Sequence, residues 1–204
     1  MPRSVQRAAV ALVLSAALVS AACARRARPP VANEPSPAPP SLAGRAVLVL
    51  PLQPTSGPGV LPAPGIDADL AFFLPERAPL VHWVLPAELE RVLRSSPTLR
   101  IRPAELDVTA LRRARLERIG EPLFTDLHNL GLLLDARLAL VPYAGGYVAA
   151  AGGQAGRVEL HVALIDTSDG DVLWLGAVAG QPGEAGSAAV TASAASALAQ
   201  RLGQ

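Results

Sequence analysis

One cysteine, three histidines and no lysine make up the reactive inventory of this 204-residue chain. Without lysine there is no Schiff-base amine and no lysine to hold a transferring phosphoryl group. The Gly-rich stretch Ala144 to Gly156 therefore reads as a loop and not as a phosphate cradle. A lone thiol, Cys23, cannot build a thiolate zinc or iron–sulfur site and has no disulfide partner. No Gly-x-Ser-x-Gly elbow is present. His82, His128 and His161 are far apart and none sits in a metal-ligand spacing. Each reads as a structural or solvated histidine in preference to a ligand or base. Asp166, Asp169 and Asp171 lack the glutamate that closes a twelve-residue calcium loop, and turn chemistry accounts for all three. No cofactor, metal or small-molecule substrate is expected. A Ser/His/Asp group assembled across loops stays open as an alternative, a hydrolase acting on a cell-envelope component; it requires one pocket holding a histidine beside a carboxylate.

Composition narrows the partners. All 18 basic residues are arginines against 17 acidic ones, for a formal charge of +1. Nucleic acid is not an expected partner, since that would call for a basic excess on one face. The stretch from Arg91 to Arg118 interleaves its arginines with Glu105, Asp107 and Glu117, the pattern of a salt-linked surface.

The first residues follow an export pattern. Arg3 and Arg7 form a basic start, Ala8 to Val19 an apolar run, and Ser20-Ala21-Ala22 a small-residue exit. The run falls short of the about 20 apolar residues that span a bilayer. Two cleavage modes compete. In one, a general signal peptidase cuts beside an incidental thiol. In the other, Ala22-Cys23 resembles the lipobox of bacterial lipoproteins, whose cysteine is acylated and becomes the new amino terminus. Ser20 departs from the leucine that motif prefers, Val19 lying one place early. A single cysteine at this junction favours lipidation. The expected organisation is a signal peptide over residues 1–22, a lipid anchor on Cys23 with a Pro-rich linker over 23–43, and an α/β domain over 44–204.

The linker begins with Arg25, Arg26 and Arg28, where anionic head groups would lie, and continues through Pro29, Pro30, Pro35, Pro37, Pro39 and Pro40. Polyproline II rises about 3.1 Å per residue, so the segment reaches roughly 60 Å. A plain solvated linker has the same composition.

The remaining residues suffice for one core. Ala46 to Leu50 is an unbroken apolar run, a strand buried on both faces. Ile66 to Leu74 reads as a short helix. Pro86 opens a second helix, with Leu85, Leu89, Val92 and Leu93 on one face, and Ser95-Ser96-Pro97 closes it. Leu99 to Arg102 reads as a short strand and Leu106 to Ile119 as a helix. Pro122 starts another helix, with Leu123, Leu127 and Leu130 in register and a reset near Gly131. Ala136 to Tyr143 is a strand and Gly145 to Gly156 a loop. Val158, Leu160, Val162 and Leu164 alternate with Glu159, His161 and Ala163, the period of a half-buried strand. Asp169-Gly170 supplies the positive φ of a hairpin turn into the return strand Val172 to Val178. An Ala-rich helix, Ala188 to Leu202, ends the chain.

The stretches VLVLPLQPTSG, LHNLGLLLDARLALVPY and VELHVALIDTSDGDVLW, with the final Ala/Leu helix, cover most of residues 45 to 202. In that order they resemble the superfamily that includes the curli-secretion lipoprotein, the lipoprotein activators of penicillin-binding proteins, and the amino-terminal domain of the Tol-system translocation protein. The resemblance implies a single α/β domain with a mixed sheet packed by helices. It also implies a non-enzymatic envelope protein, acting as a binding or adaptor domain toward an unidentified envelope protein. The chain would face the periplasm from the outer membrane in preference to the inner, since Ala24 stands where an aspartate could mark inner-membrane retention. The channel-forming branch builds long spanning hairpins, for which Gly145 to Gly156 is too short. Residues 66–83 and 103–121 have no counterpart in the resemblance. The first of these carries Phe72, Phe73 and Trp83, aromatics that would anchor a protein partner if exposed.

Overall fold

A computed structural model describes residues 38–55, 59, 61–113, 116–150 and 155–204. The leader, Cys23 and the linker up to residue 37 lie outside the described residues.

Five strands form one mixed sheet, β1 Ala46–Val49, β2 His82–Val84, β3 Leu138–Val148, β4 Arg157–Asp166 and β5 Val172–Ala179, in the spatial order β2-β1-β3-β4-β5. β1 runs parallel to both β2 and β3, while β3–β4 and β4–β5 are antiparallel. Four helices pack on it: α1 Ala63–Arg77, α2 Pro86–Arg94, α3 Leu123–Leu134 and α4 Ala188–Leu202. The α/β architecture expected from the element order is the one observed.

Side-chain alternation along the strands builds two cores. Val47 and Val49 of β1, Leu138 and Leu140 of β3, and Leu160, Val162 and Leu164 of β4 face α1 and α4. Leu48 and Leu50, Ala139 and Val141, and Ala163 and Ile165 face α2 and α3. The apolar run of β1 is unbroken because both of its faces are covered. Leu42, ahead of the expected domain start, is already buried in the first core.

Several local readings change. Residues 99–102 form no strand. Between 106 and 119 the described residues hold a single 3-10 turn, Thr109–Arg112, in place of the expected helix. This segment's backbone bonds are partly tight turns, such as Leu111 N–H to Val108 O and Arg113 N–H to Ala110 O, and partly contacts to distant partners. The buried Gln53 accepts the Leu106 N–H through Oε1 at 2.9 Å and donates through Nε2 to the carbonyls of Pro51 and Pro103, both at 2.8 Å. Ile119 N–H donates to Gly170 O, and Val172 N–H to Glu117 O. The chain is thus stapled along the sheet. β3 also runs past the expected loop boundary: Gly145 pairs with Leu160, Gly146 with Glu159 and Val148 with Arg157.

Nor does α3 reset at Gly131; it continues to Leu134 and ends on Asp135, which takes a left-handed φ of 49°. Gly131 is glycine because Thr167 presses against the helix there. The hairpin reading holds: Gly170 has φ +79° between β4 and β5.

Candidate functional site

Two places could act on another molecule, the outer side of α1 and a cavity at the end of α3 that carries several polar side chains.

Ile66, Leu70 and Leu74 fix α1 to the sheet with their side chains fully buried. Phe73 packs half-buried against the same core, and Phe72, one residue earlier, is turned outward and 65% exposed. The two rings meet edge to face at 5.0 Å. Trp83 is not part of this surface. It lies in β2, 8% exposed within the core, and its Nε1–H donates to Ala78 O at 3.1 Å. Of the three aromatics singled out in the sequence, only Phe72 shows its ring to solvent.

One turn before Phe72, Ala68 lines a mostly apolar groove of about 500 Å³ together with Leu61, Pro62, Tyr147 and Ala188. Residues four apart share a helix face, so groove and exposed phenyl ring form one surface on α1. Tyr147 is held as a wall by its hydroxyl, which donates to Gly183 O at 2.8 Å. Asp69 borders the groove, and burial pushes its carboxyl above the usual carboxylate range. Sequence reading missed Tyr147 because the glycines beside it concealed a strand.

The second place is a cavity of about 180 Å³ lined by His128, Asp135, Arg137, Thr167 and Ser168. His128 Nδ1 lies 2.9 Å from Thr167 O. A carbonyl only accepts, so this contact puts the proton on Nδ1 and leaves Nε2 as an acceptor. Ser168 Oγ donates to Asp166 Oδ1 at 2.6 Å, the Ser168 N–H donates to the same oxygen at 2.9 Å, and Arg137 Nε donates to Oδ2 at 3.1 Å. Burial alone would raise the Asp166 carboxyl. The Ser168 and Arg137 donors outweigh it and hold the group below its ordinary range. The Ser168 hydroxyl thus donates to Asp166 and not to the His128 ring, so the nucleophile–base bond of acyl transfer is not made between these two residues, although His128 Nε2 stays open as an acceptor.

The other histidines are elsewhere. His82 is exposed at the start of β2, and His161 lies opposite Ala144 and Ala177 with its ring 6.0 Å from that of Tyr143. Among the described residues no three His, Cys, Asp or Glu side chains group to hold a metal ion. The arginine stretch is salt-linked in part, through Arg91–Glu88, Arg94–Glu90, Arg102–Glu105 and Arg118–Asp171, while Asp107 and Glu117 enter no ion pair among the described residues.

No family model matches the chain, and no curated protein does. Three solved structures show what it is similar to. A single-substitution variant of the PelC dodecamer from Paraburkholderia phytofirmans is 18% identical, with 82% of this chain and 95% of that one covered at a TM-score of 0.42. Lipoprotein GNA1162 from Neisseria meningitidis is also 18% identical, covering 70% of this chain and 84% of its own at 0.41. The LpoB C-terminal domain from Escherichia coli matches at 18% identity, 69% and 84% coverage and 0.42. All three are bacterial proteins, and one of them is named as a lipoprotein.

Proposed function

We propose that this chain is an exported envelope lipoprotein that binds a partner protein through the outer side of α1 and catalyses no reaction. In this reading residues 1–22 are removed, Cys23 is acylated, the residues from 24 up to the core residue Leu42 form the tether and the α/β domain faces the periplasm, with the outer membrane preferred to the inner. The observation that carries the partner contact is Phe72, 65% exposed and one turn from an apolar groove, on a helix whose opposite side is fully engaged with the core. A phenyl ring left in water beside an apolar groove is the kind of anchor that protein partners bury. The non-catalytic part is supported by the α3 cavity, where the Ser168 hydroxyl donates to Asp166 and not to His128.

Phe72→Ser tests the surface. The ring is exposed, so the unfolding free energy should change by no more than about 0.5 kcal/mol, the range usual for surface changes. Crosslinks formed by the wild type in native envelopes should be lost. Retention of the same crosslinked species would place the contact elsewhere. Turnover of peptidoglycan, lipid or peptide that disappears in His128→Ala would overturn the non-catalytic reading and install the hydrolase in its place.

A further inference from the structure

The strand directions gather a second surface. β1, β2 and β3 are parallel and begin at one end of the sheet; β4 finishes and β5 starts there. The α1–β2 loop and the last turn of α3 lie at this end as well. They carry the two most exposed large apolar side chains among the described residues, Leu80 at 75% and Leu132 at 71%. The chain coming from the linker enters at the same end. Gly44 N–H donates to Leu80 O at 2.8 Å, and His82 N–H to Arg45 O at 2.9 Å. Arg45 and Arg77 are exposed beside Leu80 and take part in no ion pair among the described residues. Arg137, near Leu132, reaches solvent while bound to Asp166. Between Arg77 and Leu80 a cavity of about 130 Å³ opens over Leu42 and Leu202.

We infer that this end of the domain docks on the surface of the lipid bilayer that holds the anchor, with Leu80 and Leu132 entering the boundary between head groups and acyl chains. A lipid surface fits better than a protein for three reasons. Leu80 follows α1 and Leu132 belongs to α3, helices on opposite faces of the sheet, so the leucines form two separated points and not one continuous patch. Leu80 beside Arg45 and Arg77 suits an interface where the apolar side chain sinks and the guanidinium groups stay with the phosphates, whereas Leu132 has Asp135 and the Asp166-bound Arg137 as its charged neighbours. The tether also joins the domain at this end, so a short excursion of the linker brings both leucines to the membrane together. The inference rests on the proposed anchor at Cys23 and adds to it a defined orientation.

The test uses the full acylated protein reconstituted in phosphatidylethanolamine vesicles with and without phosphatidylglycerol. An environment-sensitive fluorophore is placed on Leu80→Cys, Leu132→Cys or Glu184→Cys; acylation of Cys23 leaves the introduced thiol as the one to label. Glu184 follows β5 and lies at the opposite end of the sheet. Labels at 80 and 132 should emit to the blue and be quenched by brominated acyl chains, more strongly with phosphatidylglycerol, while the label at 184 reports water. Protein that floats with the vesicles but reports water at all three positions would overturn the docking surface and leave the anchor standing. Protein that does not float would overturn the anchor and the docking surface with it. A blue shift without lipid that grows with protein concentration would give this end to a second copy of the chain instead.

Discussion

Trp174→Ala should lower the unfolding free energy by about 3–5 kcal/mol, the range for removing a fully buried large aromatic. The indole is 2% exposed on the face of β5 that meets α4. It lies across Gly176, where an added Cβ would overlap Cζ2 of the ring. The strand has given up a side chain at 176 to seat the one at 174. Truncating the indole therefore opens a cavity that nothing on β5 can fill, and a domain of this size has only about 5–15 kcal/mol to lose. Urea denaturation followed through Trp83, the other tryptophan and a buried one, reads the change directly. A loss under about 1 kcal/mol would mean that this face is not closed as described.

Gly131→Ala should carry the opposite sign from its usual one. In an exposed helix interior alanine is favoured over glycine by about 1 kcal/mol. In α3 the new methyl group would overlap Thr167 Oγ1 and stand 2.8 Å from Thr167 Cβ and 2.9 Å from Ala136 O. Thr167 cannot step aside freely, because its N–H donates to Arg137 O and its hydroxyl to Ala136 O. Overpacking of this kind costs about 1–3 kcal/mol, so a net loss is expected, with a larger one for Gly131→Val. Combining Gly131→Ala with Thr167→Ala should cost less than the sum of the single changes, since the two residues touch. A Gly131→Ala protein more stable than wild type would refute the close approach between α3 and the hairpin.

What could be read in advance depended on how local the physics was. β1 and the β4–β5 hairpin were legible because their apolar periods and Asp169-Gly170 state their structure within a few residues. The same holds for α2, marked by Pro86 and Glu88, and for α4, whose apolar content has only one place to go. Residues 99–119 were illegible because their anchors are far away in sequence: Gln53 holds the Leu106 N–H and the Pro103 carbonyl, and Gly170 and Val172 bond to Ile119 and Glu117. Gly145 and Gly146 looked like a loop, although they pair with β4, because glycine carries no period. α1 was read too short because Pro64 and Gly65 at its start and Pro75 near its end are helix breakers in a sequence, although here they sit in its first and last turns. The aromatics were ambiguous too. Sequence placed Phe72, Phe73 and Trp83 in one segment and left open whether they anchor a partner or fill a small core; for Trp83 that is decided by β2 pairing with β1, a tertiary event. The groove was out of reach, since it joins α1 to Tyr147 and α4.

Mass spectrometry of the mature amino terminus tests the central claim, a lipid-anchored envelope protein, most directly. The account predicts that the protein recovered from membranes begins at Cys23 and carries acyl groups on that residue, and that Cys23→Ser either releases it in soluble form or leaves it unprocessed. A mature chain that begins at another residue, with Cys23 an unmodified thiol or already removed, would contradict it.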